Sequence, residues 1–139
     1  MNEWIKITDE DKHYNKIFIP WTKKNRTCFI WFNGRRHDGF KITTCKSWNY
    51  YFEDSGTCEV YIRIYSEGKW NYLSRYEEDD SLDSYYTKME MHKSIGKLCF
   101  ISDEWDKDPE GGPDFRTIHI IPISYVDAYC LYPDDYKEN

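Results

Sequence analysis

Arg63 lies between two tyrosines in the run Tyr61-Ile62-Arg63-Ile64-Tyr65, and Trp70 and Tyr72 follow at the same every-second-residue spacing. Side chains alternate faces along a strand, so residues 57–65 read as a strand with Cys58, Val60, Ile62 and Ile64 on one apolar face and Tyr61, Arg63 and Tyr65 on the other. Residues 66–69 read as a tight turn with Gly68 free to take positive φ, and residues 70–74 read as the returning strand. In that register Tyr65 faces Trp70 and Arg63 faces Tyr72. A guanidinium among aromatic rings can hold planar or anionic groups by stacking and cation–π contact, which is the chemistry of a nucleotide or sugar site.

A second set is acidic. Glu77, Glu78, Asp79 and Asp80 are consecutive, with Asp83 close behind and Tyr76, Tyr85 and Tyr86 flanking them. Carboxylates interspersed with tyrosines suit a surface that competes for a basic groove on another macromolecule, because charge steers encounter and rigid aromatics supply contact area with few rotors to freeze. The expected partner-binding residues are therefore Tyr61, Arg63, Tyr65, Trp70 and Tyr72 with Glu77, Glu78, Asp79 and Asp80. The Arg35-Arg36-His37 run, read as the tip of a loop over residues 33–39, could contact an anion. Without a glycine-rich loop entering a helix it reads more simply as a solvated loop.

Other chemistry is weakly indicated. Asp106, Asp108 and Glu110 before Gly111 match the opening of a calcium loop, but the twelfth position is Thr117 rather than a bidentate glutamate, and Pro109 disfavours the turn. His13, His37, His92 and His119 have no metal-ligand spacing. His119, between Ile118 and Ile120, points opposite to both and reads as a solvent-facing or outer-layer residue rather than a general base. Cys28, Cys45, Cys58, Cys99 and Cys130 form no C-x-x-C pair and an odd set, so neither a zinc ribbon nor a disulfide framework is indicated, and four of them, inside apparent strands, read as small buried apolar groups, reduced in a cytoplasmic setting. No catalytic residue, metal or cofactor is expected.

The 139 residues fit one domain spanning 1–139, which would remove roughly 68–70% of its unfolded surface from water. Ile, Leu and Val number 20 while Phe, Tyr and Trp number 26, so aromatic rings must build much of the core. Alanine occurs once, at Ala128, beside frequent Ile, Lys, Asn and Tyr, the usage of an AT-rich coding sequence such as that of a low-GC bacterium or its phage. Net charge is −6, but residues 1–75 carry 13 Lys and Arg against 9 Asp and Glu, for +4, and residues 76–139 carry 6 against 16, for −10. An acidic total argues against direct nucleic-acid binding, which depends on neutralising phosphates. Nothing at the N-terminus reads as a signal peptide, and no apolar run approaches the ~18 residues of a membrane span.

Several elements must position these residues. Residues 4–7 read as a short strand, Thr8 as a helix N-cap, residues 17–19 as a strand ended by Pro20, and residues 23–26 as a basic turn. Residues 27–32 and 40–45 read as paired strands. Residues 47–53, with Trp48, Tyr50 and Phe52 alternating, read as a core strand, so that residues 40–74 form a four-strand meander with 57–65 central. Residues 83–95 read as a helix closed by Gly96, residues 97–102 as a strand, 103–114 as an acidic loop, 116–123 as an apolar strand, and 124–131 as a short helix or edge strand. The expected fold is α+β and β-rich: one twisted antiparallel sheet of about six to eight strands, open or partly closed, with one or two short helices. The expected function is non-enzymatic: an acidic inhibitor, immunity-type or anti-defence-type, of a protein partner with a basic surface. The alternative is a nucleotide or sugar module using the aromatic and arginine face.

Overall fold

Alternating patterns resolve into eight strands in a computed structural model that describes residues 3–17, 26–74 and 82–133. In chain order these are β1 (Ile5–Lys6), α1 (Asp9–Tyr14), β2 (Thr27–Phe32), β3 (Arg35–Thr44), α2 (Trp48–Asp54), β4 (Glu59–Ser66), β5 (Lys69–Ser74), α3 (Leu82–Ser94), β6 (Leu98–Asp106), β7 (Phe115–Pro122), a 3-10 turn (Ile123–Tyr125) and β8 (Ala128–Leu131). The strands form one sheet in the order β1-β8-β2-β3-β6-β7-β4-β5. The fold is β-rich α+β, as expected. One pair, β4 with β7, is parallel, which the all-antiparallel reading did not include.

The expected hairpin register holds, with Tyr65 opposite Trp70 and Arg63 opposite Tyr72. Cys58, Val60, Ile62 and Ile64 are all buried on one face. Yet β4 is second from an edge rather than central, because β7 inserts beside it and separates it from β6.

Residues 47–53 form no strand. Ser47 caps α2 by accepting the Tyr50 N–H, and Trp48, Tyr51 and Phe52 share one helical face packed on the sheet. Aromatic residues carry strong strand preference, and that preference misdirected the alternation reading. The 40–74 meander is thus a strand, a helix and a hairpin. The 33–39 loop shrinks to a two-residue turn at Asn33 and Gly34, both at positive φ, with β3 already under way at Arg35. The acidic loop also shortens, since Asp103 to Asp106 continue β6 against β7. β8 is interior, flanked by β1 and β2, and is no edge strand. The strand expected at 17–19 and the turn expected at 23–26 fall largely outside the described residues.

Helix signals were more direct. Thr8 and Asp11 form a reciprocal capping box for α1, and Gly96 follows α3 at φ +81°. Among the described residues no helix is long and apolar enough to cross a membrane.

Two cores lie on opposite faces of the sheet. One, under α2 and α3, gathers Val60, Ile62, Ile64, Leu73, Met91, Ile118 and Ile120 with Cys45, Cys58 and Cys99. The other gathers Ile30, Phe32, Phe40, Tyr65, Phe100, Ile121 and Tyr129 with Cys28. All five cysteines are buried free thiols. The second core has little helix to cover it, so the sheet covers itself. Phe32 on β2 meets Tyr65 on β4 with ring centroids 4.7 Å apart. Those strands are four places apart, which in a flat sheet would separate them by about 19 Å. The sheet therefore curls into an open trough, with its ends at β1 and β5 unjoined. α3 guards the β5 edge: the Thr87 hydroxyl donates to the Tyr72 carbonyl at 2.8 Å.

Candidate functional site

Where the trough opens, a polar pocket of about 280 Å³ is lined by residues of six strands, among them Arg35, His37, Arg63, Trp70, Glu104 and His119. A β-bulge aims two of them. Cys28 pairs with Phe40 and Ile30 with His37, so two β3 residues, Asp38 and Gly39, oppose the single Phe29. Gly39 supplies the φ of +79°. The extra residue lets Phe40 face the core while His37 and Arg35, at odd spacing from it, face the same side. Asp38 is drawn to an exposed pair with Arg36 at 3.1 Å. The ladder of β3 with β6 begins only at Lys41 and Ile101, so the two strands part at the pocket.

Arg63 is the centre of the opposite wall. Its guanidinium carbon stands 4.2 Å from the Trp70 ring centroid and 5.2 Å from that of Tyr72. Nη1 lies 3.2 Å from His119 Nδ1. Nε is buried and has no hydrogen-bond partner among the described residues, where no carboxylate pairs with this side chain either. Cation–π contact with two rings offsets part of the desolvation, at about 0.5–2 kcal/mol each. It leaves the charge unneutralised.

This contact also sets the state of His119. An arginine has only donors, so Nδ1 must accept and the ring proton sits on Nε2, 3.6 Å from Glu104 Oε2. Burial pushes the His119 pKa below its usual value; Glu104 opposes that shift and Arg63 adds to it. The result is a chain of cation, neutral imidazole and carboxylate. His37 sits across the pocket with Nε2 3.1 Å from the Phe32 carbonyl, to which it must donate.

The expected binding residues separate here. Arg63 and Trp70 line the pocket, and Tyr72 touches Arg63 at its rim. Tyr65 shares their face but is 8% exposed and belongs to the core, its hydroxyl donating to Asn33 at 3.5 Å. Tyr61 stands at the other end of β4, stacked beside Phe115 at 6.3 Å. Glu77, Glu78, Asp79 and Asp80 lie outside the described residues. Arg35, His37, Glu104 and His119 were missed as a group because three separate stretches carry them. The available signal was Gly39 closing a basic run two residues after His37. Among the described residues no group of three or more His, Cys, Asp and Glu is placed to hold a metal ion. The calcium-like stretch forms an ordinary turn in which Asp108 accepts the Glu110 N–H at 2.9 Å.

Comparison with protein-family models, with curated proteins and with solved structures finds no match for this chain.

Proposed function

We propose that this protein is a binding module for a small phosphate-bearing ligand of mononucleotide or sugar-phosphate size, held in the trough pocket. The observation that carries this reading is Arg63, a part-buried cation on the pocket wall with no carboxylate partner and an unsatisfied Nε among the described residues. An anion would supply what the fold leaves out. Arg35 adds a second positive charge from β3, and Trp70 offers an aromatic surface beside it. The volume of about 280 Å³ falls at the small end of ligand pockets, about 300–1,000 Å³, and so favours one sugar-phosphate unit over a longer chain.

Titration calorimetry with adenosine 5′-monophosphate, ribose 5-phosphate and unphosphorylated adenosine tests this. Both phosphates should bind and adenosine should not, and Arg63→Met should weaken the binding roughly 10–100-fold. Equal affinity for adenosine, or an affinity unchanged by Arg63→Met, overturns the reading.

The acidic-inhibitor reading stands second. It is supported by the β6–β7 hairpin, where Trp105 is 55% exposed among Asp103, Asp106 and Glu110. Such a surface predicts association with a basic protein that slows steeply as salt rises. A salt-independent association rate would remove it.

A further inference from the structure

The ligand site contains its own proton acceptor, and this inference rests on the reading of the pocket as an anion site. We infer that the pocket takes up its phosphate together with a proton, and that His119 is the positioning residue that receives it. In the free protein the Nη1–H of Arg63 is spent on His119 Nδ1, 3.2 Å away. Once Nδ1 binds a proton from solvent it can no longer accept, and imidazolium and guanidinium repel. His119 keeps its other hold, since Nε2–H already faces Glu104 at 3.6 Å and that contact strengthens when the ring is charged. Arg63 is then released from the ring and turns Nη1 toward the ligand, while remaining between Trp70 and Tyr72. One proton is bound per phosphate: an Nδ1–H bond forms as hydronium or a buffer acid gives up its proton, and no bond between heavy atoms changes.

Every wall contributes to this balance. Around His119 stand Arg63 on β4, the uncharged Trp70 on β5 at 6.3 Å between ring centroids, and Glu104 on β6; Arg35, His37 and Asp38 line the β3 side of the same pocket. With Asp38 paired to Arg36, the described residues of the free pocket offer Arg35 and Arg63 against Glu104. That is one net positive charge for a ligand that carries two negative charges as a phosphate dianion. A proton on His119 closes the difference. The same ring rests neutral because burial disfavours its charged form, so the uptake is reserved for the bound state.

The test is calorimetry of adenosine 5′-monophosphate in two buffers of different ionisation heat, from pH 5.5 to 8, on the wild type and on His119→Gln. Glutamine can accept from Arg63 and donate toward Glu104 but cannot be protonated. The nucleotide's own titration is common to both proteins and cancels in the difference. The wild type should take up as much as one proton more than His119→Gln, and its affinity should rise more steeply on acidification, approaching an extra tenfold per pH unit. His37→Gln should keep that excess. Equal uptake and parallel profiles in two proteins that both bind would overturn the inference while leaving the anion reading intact. Loss of the excess in His37→Gln would also overturn it, by placing the proton on β3. Failure of the wild type to bind the nucleotide would bring down both. Nuclear magnetic resonance titration of the wild-type His119 ring gives an answer independent of any variant: its pKa should rise when the nucleotide binds, and an unchanged value overturns the proposal.

Discussion

Arg63 and Arg116 stand on opposite faces of the same strand pair, β4 and β7, and their surroundings differ in one respect. Each guanidinium lies against a tryptophan, Arg63 at 4.2 Å from Trp70 and Arg116 at 5.1 Å from Trp105. Arg116 directs Nε and Nη2 at Asp103, with contacts of 2.6–3.1 Å, and Nη1 at Asp54 and the Ser55 hydroxyl. It thereby ties the β6–β7 hairpin to the end of α2, and the Asp103 carboxylate raises its already high pKa further. Among the described residues Arg63 has its Nε unsatisfied and a neutral imidazole in place of a carboxylate. A charge whose bonds are all met inside the protein holds structure together; a charge with bonds left over is available to something that arrives.

Substitutions can break or sharpen that contrast, and the largest effect belongs to neither arginine. Ile62, fully buried beneath the helices on β4, belongs to the core under both sites. Ile62→Ala should lower stability by roughly 2–5 kcal/mol in chemical denaturation, a cost that combines lost burial with a cavity. Arg116→Met comes next. It strands Asp103 and Asp54, but both retain water, so the loss should be roughly 2–3 kcal/mol rather than the 3–5 kcal/mol typical of a fully buried pair. Nucleotide affinity of the folded protein should not move. Arg63→Met should do the opposite, changing stability by no more than about 1 kcal/mol while weakening the nucleotide roughly 10–100-fold, the worth of hydrogen bonds to a charged group. If Arg63→Met were the more destabilising of the two arginine variants, the assignment of roles would be reversed.

The smallest effect is in pH. His119 is held neutral in the fold, with its pKa lowered from 6.5, so below about pH 6.5 the unfolded chain binds a proton that the folded chain refuses. Protons bound in the unfolded state then exceed those in the native state, and stability falls as pH falls through that window. It is fully present above it. His119→Gln should lack this component, and a denaturation midpoint that declines identically in both proteins between pH 7 and 5 would show that other groups carry it.

Local features were legible in the chain. The β4–β5 register followed from alternation plus Gly68, α1 from Thr8, and the end of α3 from Gly96, because each depends on residues within one turn or hairpin. What depended on distant partners was not legible. Tyr50, Tyr51 and Phe52 suit strand and helix alike, and only the docking of Trp48, Tyr51 and Phe52 on β4 and its neighbours decides for α2. The parallel pairing of β4 with β7 joins stretches more than fifty residues apart, and no local pattern announces it. The same holds for the pocket: Arg63 was visible as a cation among rings, but Glu104 and His119 reach it only through that pairing. Arg35 and His37 were hidden by the bulge, since strict alternation backward from Phe40 assigns the inward places to Asp38 and Arg36.

That bulge means the first half of β3 carries two overlapping sets of side chains, one residue out of phase. In the observed frame Arg35 and His37 face the trough, while Asp38, which also lines the pocket, is paired with Arg36. In the other frame Arg36 and Asp38 would face it, putting a carboxylate opposite Arg63. The strand thus encodes two alternative linings in a single stretch of six residues, and the left-handed turn at Gly39 acts as the frame selector. Divergence at this glycine would rewrite what the pocket accepts without altering any residue that touches the ligand.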